Sequence, residues 1–206
     1  MVNLYEKYVV PRLVAFSCSN ASLAPLRERV CAGLSGRVLE LGFGSGSNVG
    51  HYPMGVSEIV AIEPSDTAWR LSTPVRESSR IQIVRGSRDG QVLNEPDAHV
   101  DAALSTFTLC TIPNALAALA EVRRVLKPGG PLHFLEHGLA PDAEVQRFQR
   151  RLEPIQKVLA GGCHLTRSTA EMLREAGFEI TELDTFYLPG APKCEGALSL
   201  GIARRA

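Results

Sequence analysis

The spacing of apolar residues changes at Arg37. Over residues 3–33 they recur at helical intervals: Leu4, Tyr8, Val9, Leu13 and Val14, then Leu23, Leu26 and Val30. Pro11 and Pro25 interrupt this stretch, which predicts two or more short helices rather than one long one. From Arg37 onward come short, near-continuous apolar runs at 37–42 (RVLELG), 58–63 (EIVAIE), 81–85 (IQIVR), 100–105 (VDAALS) and 131–136 (PLHFLE). Such runs suit strands covered on both faces. Helices are predicted between them at 46–52, 65–78 and 114–126. The last has Leu116, Leu119, Val122, Val125 and Leu126 on one stripe. Further helices are predicted at 142–160 and 167–176, the second closed by Gly177. Thr166 is its expected cap, with Thr169 where a capping box prefers Glu. Strands at 178–184 and 196–203 complete the pattern. Alternating strands and helices predict an α/β fold with a parallel sheet and right-handed crossovers. No repeat or low-complexity linker divides the chain, so one domain is expected.

Composition narrows the function classes. Of 206 residues, 22 are Lys or Arg and 22 are Asp or Glu, and this balance argues against a dedicated nucleic-acid binder. The five cysteines, Cys18, Cys31, Cys110, Cys163 and Cys194, are scattered and form no CxxC pair. Their spacing suggests neither a metal site nor a disulfide framework, and reduced thiols point to the cytoplasm. The start of the chain lacks the basic-then-apolar order of a signal peptide, and no run of about 18 apolar residues is present.

The chemistry concentrates in "LELGFGSGSNVGHYP", residues 39–53. Gly42, Gly44 and Gly46 follow a predicted strand, where the backbone must turn sharply or leave space for a ligand. A helix starting near residue 46 would add free N–H groups at the carboxyl edge of the sheet, where ligands of such folds bind. Dinucleotide sites prefer G-x-G-x-x-G or A. Counted from Gly42, the last position is Ser47, and Gly46 falls one place early. This shifts the reading from a pyrophosphate to S-adenosylmethionine. Glu40 is placed to serve either the turn or the cofactor's ammonium group. The next strand ends in Glu63, able to accept from both ribose hydroxyls, followed by Pro64 and a capping Ser65 or Asp66.

These motifs resemble those of class I S-adenosylmethionine-dependent methyltransferases of the methyltransferase-11, UbiE-like type. The resemblance lies in "VLELGFGSGSN", "IVAIEPS", "VDAALSTFTLCTIPN" and "ALAEVRRVLKPGGPLHFLEH" and spans nearly the whole chain. It implies a Rossmann-like, seven-stranded, mostly parallel sheet in the order 3-2-1-4-5-7-6 with helices on both faces. Residues 1–206 form a single domain on this reading. It comprises a helical N-terminal cover (1–35), a cofactor-binding half (36–137) and an acceptor-side half (138–206). More narrowly, "GSGSNVGHYP", "TLCTIPN", "FLEHG" and "GGCHLTR" are similar to stretches of the microsomal thiol methyltransferase-like proteins of animals and their bacterial relatives. Phe43 stands where that group usually has Cys. The animal proteins' long apolar anchor has no counterpart in residues 1–35.

The resemblance implies S-adenosyl-L-methionine as cofactor and S-adenosyl-L-homocysteine as product. Gly42, Gly44, Gly46 and Asn48 would surround the methionyl part and Glu63 and Pro64 the ribose. Ser87, Arg88 and Asp89 would frame adenine, and Thr106 and Phe107 would approach the transferred methyl. The acceptor would be a small molecule: a thiol, a lipid amine or a quinone-like compound. His137 is the first candidate for a general base and His164 the second. His133 reads as a core residue, and His51 and His99 have no distinguishing setting. Cys110 and Cys163 receive no nucleophilic role, and no metal is expected. Arg167 could meet an anionic acceptor. The N-terminal helices form a cover or lid, or touch a membrane or lipid surface. The competing readings are an NAD(P)-dependent oxidoreductase and a catalytically silent S-adenosylmethionine-binding protein.

Overall fold

The computed structural model describes residues 4–18 and 20–205. Of the helical stretch expected over 3–33, Asn3 and Ser19 lie outside the described residues. Strands β1 (Gly36–Leu41), β2 (Val56–Ile62), β3 (Gln82–Arg85), β4 (Ala102–Thr106), β5 (Pro131–His137), β6 (Phe178–Tyr187) and β7 (Ala197–Arg205) form one sheet. Their order is β3-β2-β1-β4-β5-β7-β6, as the resemblance implies. The first five strands run parallel, and β7 is antiparallel to both β5 and β6.

The helices are α1 (Val10–Cys18), α2 (Ala24–Cys31), α3 (Asp66–Leu71), α4 (Thr73–Glu77), α5 (Ala115–Val125), α6 (Ala143–Leu159) and α7 (Thr169–Glu175). Successive strand residues point to opposite faces, so the near-continuous apolar runs feed two cores. Leu39, Leu41, Ala103, Leu132 and Phe134 pack with Leu119 and Val122 of α5 on one side. Val38, Ile59, Ala61, Leu104 and Leu135 pack with Val30 and Cys31 of α2 on the other.

The structure corrects the helix boundaries in four places. The helix expected over 46–52 shrinks to a 3-10 turn, Val49–His51. Gly50 weakens it and Pro53 stops it. The helix expected over 65–78 breaks into α3 and α4 at Ser72, with Pro74 in the first turn of α4. The cap of α7 is Ser168, not Thr166, and its side chain accepts from the N–H of Glu171. That pair supplies the Ser-x-x-Glu spacing missing from the Thr166 register. Pro11 interrupts nothing, because it lies at the start of α1, next to the π-helical turn Tyr5–Val9.

β1 pairs with β2 on one side and β4 on the other. The chain therefore leaves this strand toward one half of the sheet and later returns to build the other. A crevice opens beyond the carboxyl ends of β1 and β4, and both candidate motifs reach it.

Candidate active site

The three glycines after β1 have positive φ values: 74° at Gly42, 58° at Gly44 and 80° at Gly46. Their surroundings differ. A Cβ on Gly42 would overlap the Thr108 side chain, and one on Gly46 would come within 2.7 Å of Val75 Cγ1. Those two positions are glycine because the protein packs against them. A Cβ on Gly44 would meet only the Gly42 carbonyl oxygen, at 4.0 Å, so its vacant face opens onto a cavity of about 640 Å³.

Glu63 joins this turn to the next element. One carboxylate oxygen accepts from Gly44 N–H and the other from Ser65 N–H, both at 2.7 Å. Burial raises the Glu63 pKa, against the lowering effect of these two N–H groups and of Arg85. Ser65 in turn caps α3 by accepting from Ala68 N–H at 3.2 Å. Each Glu63 oxygen retains lone-pair capacity for a hydroxyl on the cavity side.

Behind the turn lies a buried polar chain. Asn48 donates to Glu40 Oε1 at 2.7 Å and to Thr106 Oγ1 at 3.0 Å, and accepts from Arg27 Nη1 at 2.6 Å. Tyr52 OH donates to Glu40 Oε2 at 2.7 Å. Burial raises the Glu40 pKa to about 7, against these two hydrogen bonds. Glu40 thus ties the strand end to Asn48 and Tyr52 of the turn. Arg27 lines the cavity, reaches Cys18 O at 2.8 Å and makes no ion pair among the described residues.

On the β4 side, Phe107 adopts φ 53°, a left-handed conformation that costs a bulky residue about 1–3 kcal/mol and needs support from its surroundings. The support comes from Glu136 at the end of β5. Its buried carboxylate accepts from Ser105 Oγ at 2.7 Å, Thr108 N–H at 2.9 Å and Leu109 N–H at 3.1 Å. Burial raises the Glu136 pKa to about 7. Arg167 braces the following loop, donating to the carbonyls of Leu109 and Ile112 at 2.6 Å and of Pro113 at 3.1 Å. Its guanidinium is committed to the backbone and does not line the cavity, contrary to the role expected for an anionic acceptor.

Gly42, Gly44, Asn48, Glu63, Pro64, Arg88, Asp89, Thr106 and Phe107 meet around this one cavity. Glu40, Gly46, Ser87, His137 and His164 lie outside its lining. Glu40 and Gly46 are placed as described above. Ser87 is buried, accepting from Asn94 N–H at 2.6 Å. The His137 ring faces Cys163, with Nδ1 3.6 Å from the sulfur. His164 pairs with Glu153 at 3.4 Å, and burial and then Arg167 lower its pKa. His133 is a core residue, its Nδ1 bonded to Val30 O at 2.7 Å. Sequence reasoning missed Arg27, which sat unremarked in the helical cover. It also missed Glu136, passed over for its neighbour His137. A carboxylate ending an otherwise apolar strand was the available signal for Glu136, the same signal that identified Glu63.

Residues 39–134 match the family described as "Methyltransferase domain", Methyltransf_11. The chain is 34% identical over 167 residues to human thiol S-methyltransferase TMT1A, covering 77% of this chain and 67% of that protein. The chain belongs to the S-adenosylmethionine-dependent methyltransferases. It is also 34% identical over 154 residues to rat thiol S-methyltransferase TMT1B, covering 71% of this chain but 62% of that protein. The chain thus spans roughly two thirds of the length of these relatives. The fold matches a solved putative methyltransferase from Bacillus halodurans with TM-score 0.71 and 19% identity, over 90% of this chain and 99% of that one. S-adenosyl-L-methionine is the cofactor of this family. The open face of Gly44 and the available lone pairs of Glu63 fit it.

Proposed function

We propose that this methyltransferase transfers the methyl group of S-adenosyl-L-methionine to a small lipophilic thiol. The observation carrying the proposal is the single cavity that joins the Gly44–Glu63 turn to an apolar wall of Val10, Pro11, Val14, Ile112 and Pro113. One end suits a nucleoside with an amino-acid tail and the other an apolar acceptor.

When bound, S-adenosylmethionine supplies an activated sulfonium methyl group. On this reading Gly44 leaves room for the methionyl part, and Arg27 beside Asn48 attracts its carboxylate. Glu63 accepts from the ribose hydroxyls and Asp89 from the adenine amino group, while Thr106 and Phe107 border the methyl. The chain's main task is alignment of acceptor, carbon and sulfur with water excluded. The ionisable side chains on the lining are Cys18, Arg27, Glu63, Arg88 and Asp89. A free thiol is already roughly a few per cent thiolate at neutral pH and strongly nucleophilic, so this acceptor needs no strong base. The similarity to thiol S-methyltransferases supports the same acceptor.

Val14 of the apolar wall is exposed, as are Phe16 of α1 and Val158 and Leu159 of α6. Peripheral contact of this surface with a lipid bilayer belongs to the proposal, as does a cytoplasmic location, which suits five free cysteines. No helix among the described residues is long and apolar enough to cross a membrane.

The test is transfer of labelled methyl to a panel of alkyl and aryl thiols, phospholipid amines and quinols. Preferential methylation of the apolar thiols is expected. Methylation of an amine or quinol in their place rejects the thiol reading, and failure to bind S-adenosylhomocysteine rejects the cofactor assignment.

A further inference from the structure

Outside the cavity lining, two thiols and an imidazole converge from segments far apart in sequence. Cys110 lies in the loop after β4, His137 ends β5 and Cys163 follows α6. All three are buried, and their ligand atoms lie within 4.8 Å of one another. Cys163 Sγ and His137 Nδ1 are 3.6 Å apart. Bond lengths of about 2.3 Å for Zn–S and 2.0–2.1 Å for Zn–N put two such atoms about 3.5–3.6 Å apart across a tetrahedral edge. The backbone holds the two cysteine segments together, with His164 N–H donating to Cys110 O at 2.9 Å.

We propose that Cys110, His137 and Cys163 form a zinc site. Two thiolates and a neutral imidazole balance the charge of a divalent ion, which makes the site tolerable in a buried setting. Three protein ligands leave a fourth coordination position for water or an added thiol. The ion would pin the loop after β4, the end of β5 and the segment after α6 against one another. Thr108, Thr111, Ala160 and Gly161 of those segments line the cavity, so the metal would fix the part of its wall that they build. The linear spacing of the cysteines conceals the site because its ligands meet only through the sheet topology.

The test uses the full chain produced in zinc-supplemented medium and dialysed against a weak chelator, with metal measured by mass spectrometry. About one zinc per chain is expected, as for other three-ligand protein sites. Cys163→Ser and Cys110→Ser should lose it, while Cys194→Ala keeps it. Cobalt substitution of the wild-type apoprotein should give thiolate-to-metal charge-transfer absorption and intense tetrahedral visible bands. This readout stands even if the serine variants misfold. Absence of stoichiometric zinc together with a weak octahedral cobalt spectrum overturns the proposal. Zinc retained in both serine variants, or a Cys110–Cys163 disulfide formed in the presence of zinc, does the same.

Discussion

At the β1–β2 edge the cavity wall is mainly backbone, with Gly44 offering an open face and Glu63 holding one N–H from the turn after β1 and one from the N-cap of α3. At the β4–β5 edge the wall is held by buried side chains drawn from remote segments. Glu136 supports Phe107 and Arg167 clamps residues 109–113, while Cys110, His137 and Cys163 gather behind. A backbone site takes a ligand that varies little, because its contacts depend on chain path. A side-chain site can be altered residue by residue without disturbing that path. The first arrangement suits an invariant cofactor and the second a changeable acceptor.

The largest effect should come from the backbone side. Gly44→Val places a branched side chain in the cavity at a φ of 58°, and titration calorimetry should show S-adenosylhomocysteine affinity reduced by more than about 100-fold. Gly46→Ala should chiefly lower stability, because its Cβ meets Val75. If both variants lost affinity equally, the division of roles within the glycine turn would fail. Glu63→Ala should weaken the same binding by about 1–3 kcal/mol, through loss of charge-assisted hydrogen bonds. Unchanged affinity in the folded variant would detach Glu63 from the ribose.

On the side-chain wall, Arg167→Ala frees the carbonyls of Leu109, Ile112 and Pro113. It should reduce unfolding free energy by about 1–2 kcal/mol in urea titrations while sparing cofactor affinity. A large loss of affinity without loss of stability would mean that Arg167 contacts the ligand. Stability should also depend on pH. Burial raises Glu40 and Glu136 from 4.5 to about 7, so the folded state binds protons more tightly than the unfolded one. Their contribution to stability is full below pH 4.5 and lost as pH rises through about 7. His133, whose pKa burial lowers from 6.5, acts in the opposite direction. Comparing Glu40→Gln with the parent protein isolates one carboxylate, and the variant should lose less stability between about pH 5 and pH 8. Equal losses would show that Glu40 is not a source of the slope.

Much of the backbone side was legible because it is local. The apolar runs marked β1 and β2, and the glycine spacing and Glu63 fell within a single strand–turn–strand segment. The short turn at 49–51 was harder, since the same residues carry helical spacing and only Gly50 and Pro53 argue against a helix. The β4–β5 side was hidden because its contacts cross 27 or more positions, as between Leu109 and Glu136. His137 and Cys163 were visible as residue types, but which way each ring or thiol faced depends on the crossover after β5. Arg27 was obscured in another way. An arginine on a short amphipathic helix ordinarily faces solvent, and only the packing of α2 against β5 and the turn at 49–51 turns it inward.

The two hydrogen bonds accepted by Glu63 have a kinetic corollary. They hold the mouth of the turn and the start of α3 in place through contacts internal to the protein. On the proposed assignment of Glu63 to the ribose, an arriving nucleoside would meet a surface that needs little rearrangement, its conformational entropy having been lost during folding. Donor capture at this edge should be rapid and nearly independent of whether an acceptor is present.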